Sequence, residues 1–338
     1  MLDTTVMGSW PQPAWLIDHV GLLGAGVPRV RNSKLWKVDE ADLAEAIEAA
    51  TLVAIRDQES TGIDIITDGE VGRESYFNHF ATALGGVDKE TIGEGVNRRG
   101  GTAEVPLVNG PIVREAPIEL EAATFLRENT TRRIKVTVPG PFTLSQLAQN
   151  DYYPDQRSLA MAYAQAVNEE LRDLEAAGID MLQLDEPYLQ ANAEAASEFA
   201  VEAIAAALDG ITTQTTLHTC YGYAAYVKSK ESGYPFLDEL ADVPATFIAI
   251  EAAQPGLDAE VVTRLAPRGV TLGVIDLGSE EVETPDAVAV KVRAALEHRD
   301  PEHLSFAPDC GMKYLPRERA KAKLRALAEG VAIVRAEL

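Results

Sequence analysis

Cysteine is scarce in this chain, which has two in 338 residues, Cys220 and Cys310. Two thiols so far apart make no disulfide framework. Long apolar runs are missing too. No stretch approaches the roughly 18 uninterrupted apolar residues of a membrane-spanning helix. The first residues lack a basic region followed by an apolar run and a small-residue cleavage site, so the expectation is a soluble protein that stays in the cytoplasm. Positive charge is also in short supply, with 30 Lys and Arg against 53 Asp and Glu and a formal charge of -23. The acids are spread along the chain instead of gathered in a tail. Such a field repels a phosphate backbone and an anionic bilayer, so neither nucleic acid nor membrane is expected as a partner. It leaves room for a small anionic ligand held by a local Arg or Lys.

What the chain does have is a repeated rhythm. Short β-branched runs near residue 5 and over 63–67, 134–138, 179–184, 214–217, 246–250, 270–275 and 303–307 alternate with helical patterns. Helices are expected over about 40–60, 159–177, 193–208, 236–240, 257–265, 287–296 and 317–335. Runs of this kind suit strands buried on both faces, with the helices as crossovers. Eight such units predict an α/β fold, a single (β/α)8 TIM barrel forming one catalytic domain over 1–338. A doubly wound sheet is the main rival. Residues 84–120 break the rhythm and are expected as an inserted loop or hairpin laid over the same end of the scaffold.

The polar residues cluster where the strands end. His218 and Cys220, one residue apart, leave an extended segment on the same side. Glu251 ends another strand and Cys310 the last one. In a closed barrel these exits share one ring, so two thiols, an imidazole and a carboxylate can surround one ion, a ligand set suited to Zn²⁺. The plain alternative for His218 and Cys220 is a pair of packed residues. Asp68, Glu70 and Arg73 follow a second strand. The Gly8-Ser9-Trp10-Pro11 loop offers Ser9 and backbone N–H groups to a polar substrate end. Arg29, Arg31, Lys34 and Lys37 form a basic segment that could cover an anion or simply be solvated.

Six stretches spread over nearly the whole chain resemble the catalytic domain of cobalamin-independent methionine synthases and their barrel relatives. They are Met7-Gly8-Ser9-Trp10-Pro11-Gln12, Asp68-Gly69-Glu70, Gly140-Pro141-Phe142-Thr143, Gln183-Leu184-Asp185-Glu186-Pro187, His218-Thr219-Cys220-Tyr221 and Pro308-Asp309-Cys310-Gly311-Met312-Lys313. The resemblance is to a compact, one-barrel member. It implies that His218, Cys220, Glu251 and Cys310 hold Zn²⁺, and that Glu70 and Asp185 bind the ammonium group of homocysteine. The loop through Met7 and Ser9 would take the carboxylate end, with Tyr221 also in contact with substrate. Asp185 could instead be a structural anchor. The implied reaction is methyl transfer to the homocysteine thiol to form methionine, with Glu70 and Asp185 as the catalytic carboxylates and a corrinoid or methylfolate as donor.

Two departures bear on the donor. Folate-using relatives carry a tryptophan beside the pterin where this chain has Leu147, which removes a stacking partner. They also place a histidine where Gly278 stands, and its absence removes a proton relay to a leaving amine. An activated, methylcobalamin-type donor needs neither. An alternative reading resembles the epoxyalkane:coenzyme M transferases, in which a sulfonated thiol attacks an epoxide and Arg29, Arg31 and Arg73 would serve the sulfonate. Further alternatives are a zinc-stabilised binding barrel with no catalysis and the cofactor-free decarboxylase branch of the same superfamily.

Overall fold

The computed structural model describes residues 1–25, 30–96, 101–230 and 233–338. Arg29 of the basic segment, and Arg98 and Arg99 of the excursion, lie outside the described residues. In chain order the strands are β1 (Asp3–Thr4), β2 (Ile65–Ile66), β3 (Gly85–Val96), β4 (Thr102–Val113), β5 (Arg133–Pro139) and β6 (Gln149–Asn150). They continue with β7 (Met181–Asp185), β8 (Gln214–Thr219), β9 (Phe247–Ile250), β10 (Gly269–Ile275) and β11 (Leu304–Pro308).

Eight of them form one sheet in the order β1-β11-β10-β9-β8-β7-β5-β2. All of its named pairings are parallel. A Thr5–Ile65 bridge joins the two ends. Each strand neighbours the next in chain order once β3, β4 and β6 are set aside, and the ends meet. A doubly wound sheet would reverse direction at a switch point and stay open, so the fold is the (β/α)8 barrel. Every residue of β7 and β10 is buried, because barrel strands are covered by side chains inside and helices outside.

The crossover helices begin and end on local chemistry. Leu43–Thr61 stops at Gly62, whose φ of 89° continues the chain in the left-handed region. Asp155 accepts from the Ser158 N–H to start Gln156–Ala176. Thr284 does the same through the Ala287 N–H for Pro285–Leu296, with Pro285 at its first turn. The helical patterns expected over 236–240 and 257–265 fold instead as the 3₁₀ turns Asp238–Asp242 and Ala259–Leu265. Pro235, Pro244, Pro255 and Pro267 flank these segments. Missing N–H donors on either side cut the runs too short for an α-helix.

The excursion is a hairpin. β3 and β4 pair antiparallel with Gly85 opposite Val113 at the base, and β6, just beyond the β5 exit, adds to β4 in parallel through Leu107–Gln149. Val105, Leu107 and Val108 are buried, while the outer part of β3 is exposed. The hairpin is therefore tied at its inner half to the end of the barrel where the strands exit. The loops that follow β1, β2, β5, β7, β8, β9 and β11 belong to that same end.

Candidate active site

The barrel brings its two cysteines together. His218, Cys220 and Cys310 each offer a ligand atom, and these atoms all lie within 4.8 Å of one another, with all three residues buried. The register that sets Asp185 opposite His218 on the neighbouring strand puts Asp185 Oδ1 3.0 Å from His218 Nδ1. With Nδ1 committed to Asp185, His218 Nε2 is buried with no oxygen or nitrogen partner among the described residues, and the ring interacts with Cys220. Burial works to lower the His218 pKa, but the Cys220 and Asp185 charges outweigh it and push it up to about 10. The Cys310 thiol is held well above its ordinary value by its hydrogen bond to Cys220, by burial and by the negative field of Cys220 and Glu251. Two buried sulfurs and an orphaned imidazole nitrogen that is oriented by a carboxylate form a donor set that fits Zn²⁺.

Asp309 sets the position of Cys310. Its carboxylate accepts from the N–H groups of Ala252 (3.1 Å), Ala253 (3.0 Å) and Gln254 (2.6 Å), clamping the β11 exit to the β9 exit. Glu251 lies at that exit, beside the cluster and outside it. Its Oε1 accepts from the Tyr221 N–H at 3.1 Å and its Oε2 is paired with the Lys230 ammonium, both side chains fully buried. Burial and the Cys220 charge raise its pKa to about 8 against the pull of Lys230.

A cavity of about 600 Å³ opens over the cluster, lined by Met7, Glu70, Asp185, His218, Cys220, Tyr221 and Cys310 among others. Glu70 enters it from a φ of 53°, a conformation uncommon outside glycine. Asp68 Oδ1 accepts the Glu70 N–H (3.1 Å) to hold that turn. The Thr137 hydroxyl donates to Glu70 Oε1 at 3.1 Å. Gly8 is required here by close approach, since a Cβ would stand 2.2 Å from Glu70 Oε1. Burial raises Glu70 to about 8, with Asp185 and Asp68 adding to the shift and Arg73 opposing it. The two described hydrogen bonds to the Asp185 carboxylate, from His218 and from Gln183 Nε2 (2.7 Å), both end on Oδ1. Beneath the carboxylates, Lys135 is fully buried and donates to Val6 O. Burial brings its pKa down to about 7 against the pull of Asp185 and Glu70.

The other expected residues are distributed unevenly. Met7 lines the cavity, whereas Ser9 is buried behind it, its Oγ 3.4 Å from Tyr223 Oη. Tyr221 stacks at a tilt on Tyr234, centroids 4.7 Å apart, and its hydroxyl donates to Gly233 O. Half-exposed Arg31 pairs with the buried Glu74 (2.6 Å). Arg73 is buried against Glu119 at 2.9 Å. Leu147 lines the cavity, and among the described residues the β10 exit contributes no side chain to it. A Cβ at Gly278 would lie 2.9 Å from Gln254 Nε2. Sequence reasoning missed Lys230, Lys135 and the bracing by Asp309. The only trace of Lys230 was a pair of lysines, Lys228 and Lys230, between two expected ligands of an acidic chain.

A closed parallel barrel with a sulfur-rich ligand cluster and two acidic side chains under one cavity at its strand-exit end is a barrel enzyme. The family described as "Cobalamin-independent synthase, Catalytic domain" matches residues 2–332, and the chain belongs to this family of cobalamin-independent methionine synthases. It is 33% identical to a methionine synthase of Sulfolobus acidocaldarius and 34% identical to one of Pyrococcus abyssi. Each match runs over 343 aligned positions and covers all of this chain and 94% of the relative. The solved structure of a B12-independent methionine synthase from Shewanella sp. W3-18-1 in complex with selenomethionine superposes with a TM-score of 0.89 at 30% identity. That match covers 100% of this chain and 98% of the other. A methyltransferase from Methanosarcina mazei, at 15% identity and a TM-score of 0.62 over 97% of this chain and 94% of its own, shares the fold. The chain is accordingly a methyltransferase. No helix among the described residues is long and apolar enough to cross a membrane.

Proposed function

We propose that this enzyme methylates the sulfur of homocysteine to give methionine, with Zn²⁺ held by His218, Cys220 and Cys310 and with Glu251 as the fourth protein group of the site. The observation that carries the reading is the placement of the buried His/Cys/Cys cluster and the pair Glu70 and Asp185 in one cavity. A thiol needs the cluster and a cationic amine needs the carboxylates. Zn²⁺, when bound there, supplies a Lewis acid that lowers the pKa of a thiol toward neutrality.

The chain's own residues do the rest. Glu70, and Asp185 through its Oδ2, would hold the substrate ammonium, fixing the short carbon chain so that its sulfur reaches the cluster. Met7 lines the apolar side of that path. Holding sulfur and methyl carbon within attack distance removes much of the barrier to a bimolecular displacement. Cys220 and Cys310 act as ligands and not as covalent nucleophiles. The relatives named methionine synthase, and the Shewanella structure holding selenomethionine, support this acceptor.

A methylcorrinoid suits the site better than methylfolate. Leu147 offers no aromatic face to a pterin, and Gly278 offers no imidazole for the amine that folate would release. The sulfonated-thiol reading loses support from Arg31 and Arg73, which are engaged by Glu74 and Glu119.

The test is zinc content followed by zinc-edge X-ray absorption with and without homocysteine, then turnover with methylcobalamin, methylfolate or a small epoxide. We expect one new sulfur scatterer on adding homocysteine and methionine formation with the corrinoid. Full activity in metal-free protein, or a response only to a sulfonated thiol, would overturn the reading.

A further inference from the structure

Glu251 presents a conflict of partners. As a fourth ligand it must turn an oxygen to the metal, yet it stands outside the group of ligand atoms that His218, Cys220 and Cys310 form, with Oε1 turned to the Tyr221 N–H and Oε2 to the Lys230 ammonium. Lys230 and Glu251 are fully buried at their side chains, where drawing either partner away leaves the other charge uncompensated. The backbone of Glu251 is pinned as well. Its N–H donates to Tyr234 Oη at 2.7 Å, and that hydroxyl donates to Glu251 O at 3.2 Å. Exchange at Glu251 is therefore a matter of side-chain rotation between a lysine on one side and the cluster on the other. Lys230 arrives from the segment after β8, the same segment that supplies Cys220.

We propose that Lys230 is a positioning residue that competes with the metal for the Glu251 carboxylate, keeping the fourth coordination position exchangeable. The inference rests on the zinc reading above. With the ion pair made, three protein ligands remain and the substrate sulfur meets an open position, the arrangement typical of catalytic zinc. With the lysine removed, Glu251 closes the set as in a structural zinc site. Lys230 thus raises the exchange capacity of the site at the expense of its affinity.

The test is a double-mutant cycle on the full chain, with zinc dissociation constants read by chelator competition and homocysteine affinity by calorimetry on the zinc-loaded protein. Lys230→Met removes the competitor and Glu251→Gln removes the contested carboxylate. We expect K230M to bind zinc at least about tenfold more tightly and homocysteine correspondingly more weakly. E251Q should weaken zinc binding less in the parent than in the K230M background, so that the K230M/E251Q protein loses most of the gain. Because deleting a positive charge favours any nearby cation, only the part of the gain that disappears with E251Q counts as competition. Lys230→Arg, which keeps the pair, should stay near the parent. An unchanged or weaker zinc affinity in K230M, or equal losses from E251Q with and without Lys230, would overturn the proposal while leaving the zinc reading intact. Should K230M not fold, Lys230→Gln, which keeps a polar side chain beside Glu251, takes its place in the same cycle with the same outcomes. A parent protein that binds no zinc, with His218→Ala behaving identically, would instead remove the reading beneath it.

Discussion

Burial and two neighbouring carboxylates hold the Glu70 carboxyl up at about 8 against the pull of Arg73. An ammonium ligand requires the ionised form, so binding below that pH must expel a proton. The apparent affinity for homocysteine should rise by up to tenfold per unit as the pH is raised from 6 toward 8. Titration calorimetry in buffers of different ionisation enthalpy will show the released proton, and Glu70→Gln should flatten the dependence while weakening binding. Asp185 ties the amine site to the cluster, since the oxygen that orients His218 belongs to a side chain that also lines the cavity. Asp185→Asn should weaken zinc binding by about 10–100-fold by chelator competition, in line with other outer partners of ligating histidines. At this scale His218, Cys220, Cys310, Glu70 and Asp185 were legible because each stands at a strand end in an uncommon grouping. Lys230 and Lys135 were not, since a single lysine has no periodicity and its burial is decided by residues distant in sequence. The competition between Lys230 and the metal for Glu251 could be seen only once the partners had been assembled.

Elements show the same division. The stretch Asp185-Glu186-Pro187 was noticed as a motif, but sequence could not assign its middle residue. Glu186 is fully buried and accepts the N–H groups of Phe142 (2.9 Å) and Thr143 (2.7 Å), capping the helix Pro141–Gln146. Burial raises its pKa to about 7 against those hydrogen bonds. Gly140 is needed for the carboxylate to fit, since a Cβ there would stand 2.2 Å from it. Glu186→Ala leaves two buried donors without partners and should cost about 2–4 kcal/mol in urea unfolding. Glu186→Gln, which keeps an acceptor, should cost less. Long amphipathic helices such as Arg317–Arg335 were readable from their spacing. The 3₁₀ turns after β8 and β9 were misread as helices because the apolar spacing of one or two turns is the same in both, and only the flanking prolines tell them apart.

For the molecule as a whole, the buried core cluster of the described residues extends from Leu2 to Val334, and we propose a single cooperative unit over 1–338. Calorimetry should record one unfolding transition. A net charge of -23 makes the folded state repel itself, and the range of that repulsion falls from about 30 Å at 0.01 M salt to about 8 Å at 0.15 M. The melting temperature should therefore rise over that interval, and a fall would mean that ion pairs such as Arg335–Asp64 outweigh the repulsion. The barrel itself was legible because eight β-branched runs recur between helices, and its closure followed from their number. The length and pairing of the hairpin were not, since its outer strand alternates without a core to face. That arm has a consequence for how such enzymes can diverge. Its feet, Gly85 and Val113, are neighbours, so residues can be added or trimmed in the outer half of its two strands without shifting any strand of the wall. Doubling a loop costs only about 0.6 kcal/mol of chain entropy. A fused reporter or a docking module grafted there should leave turnover untouched, which makes the arm the natural place for a lineage to acquire new associations around unchanged chemistry.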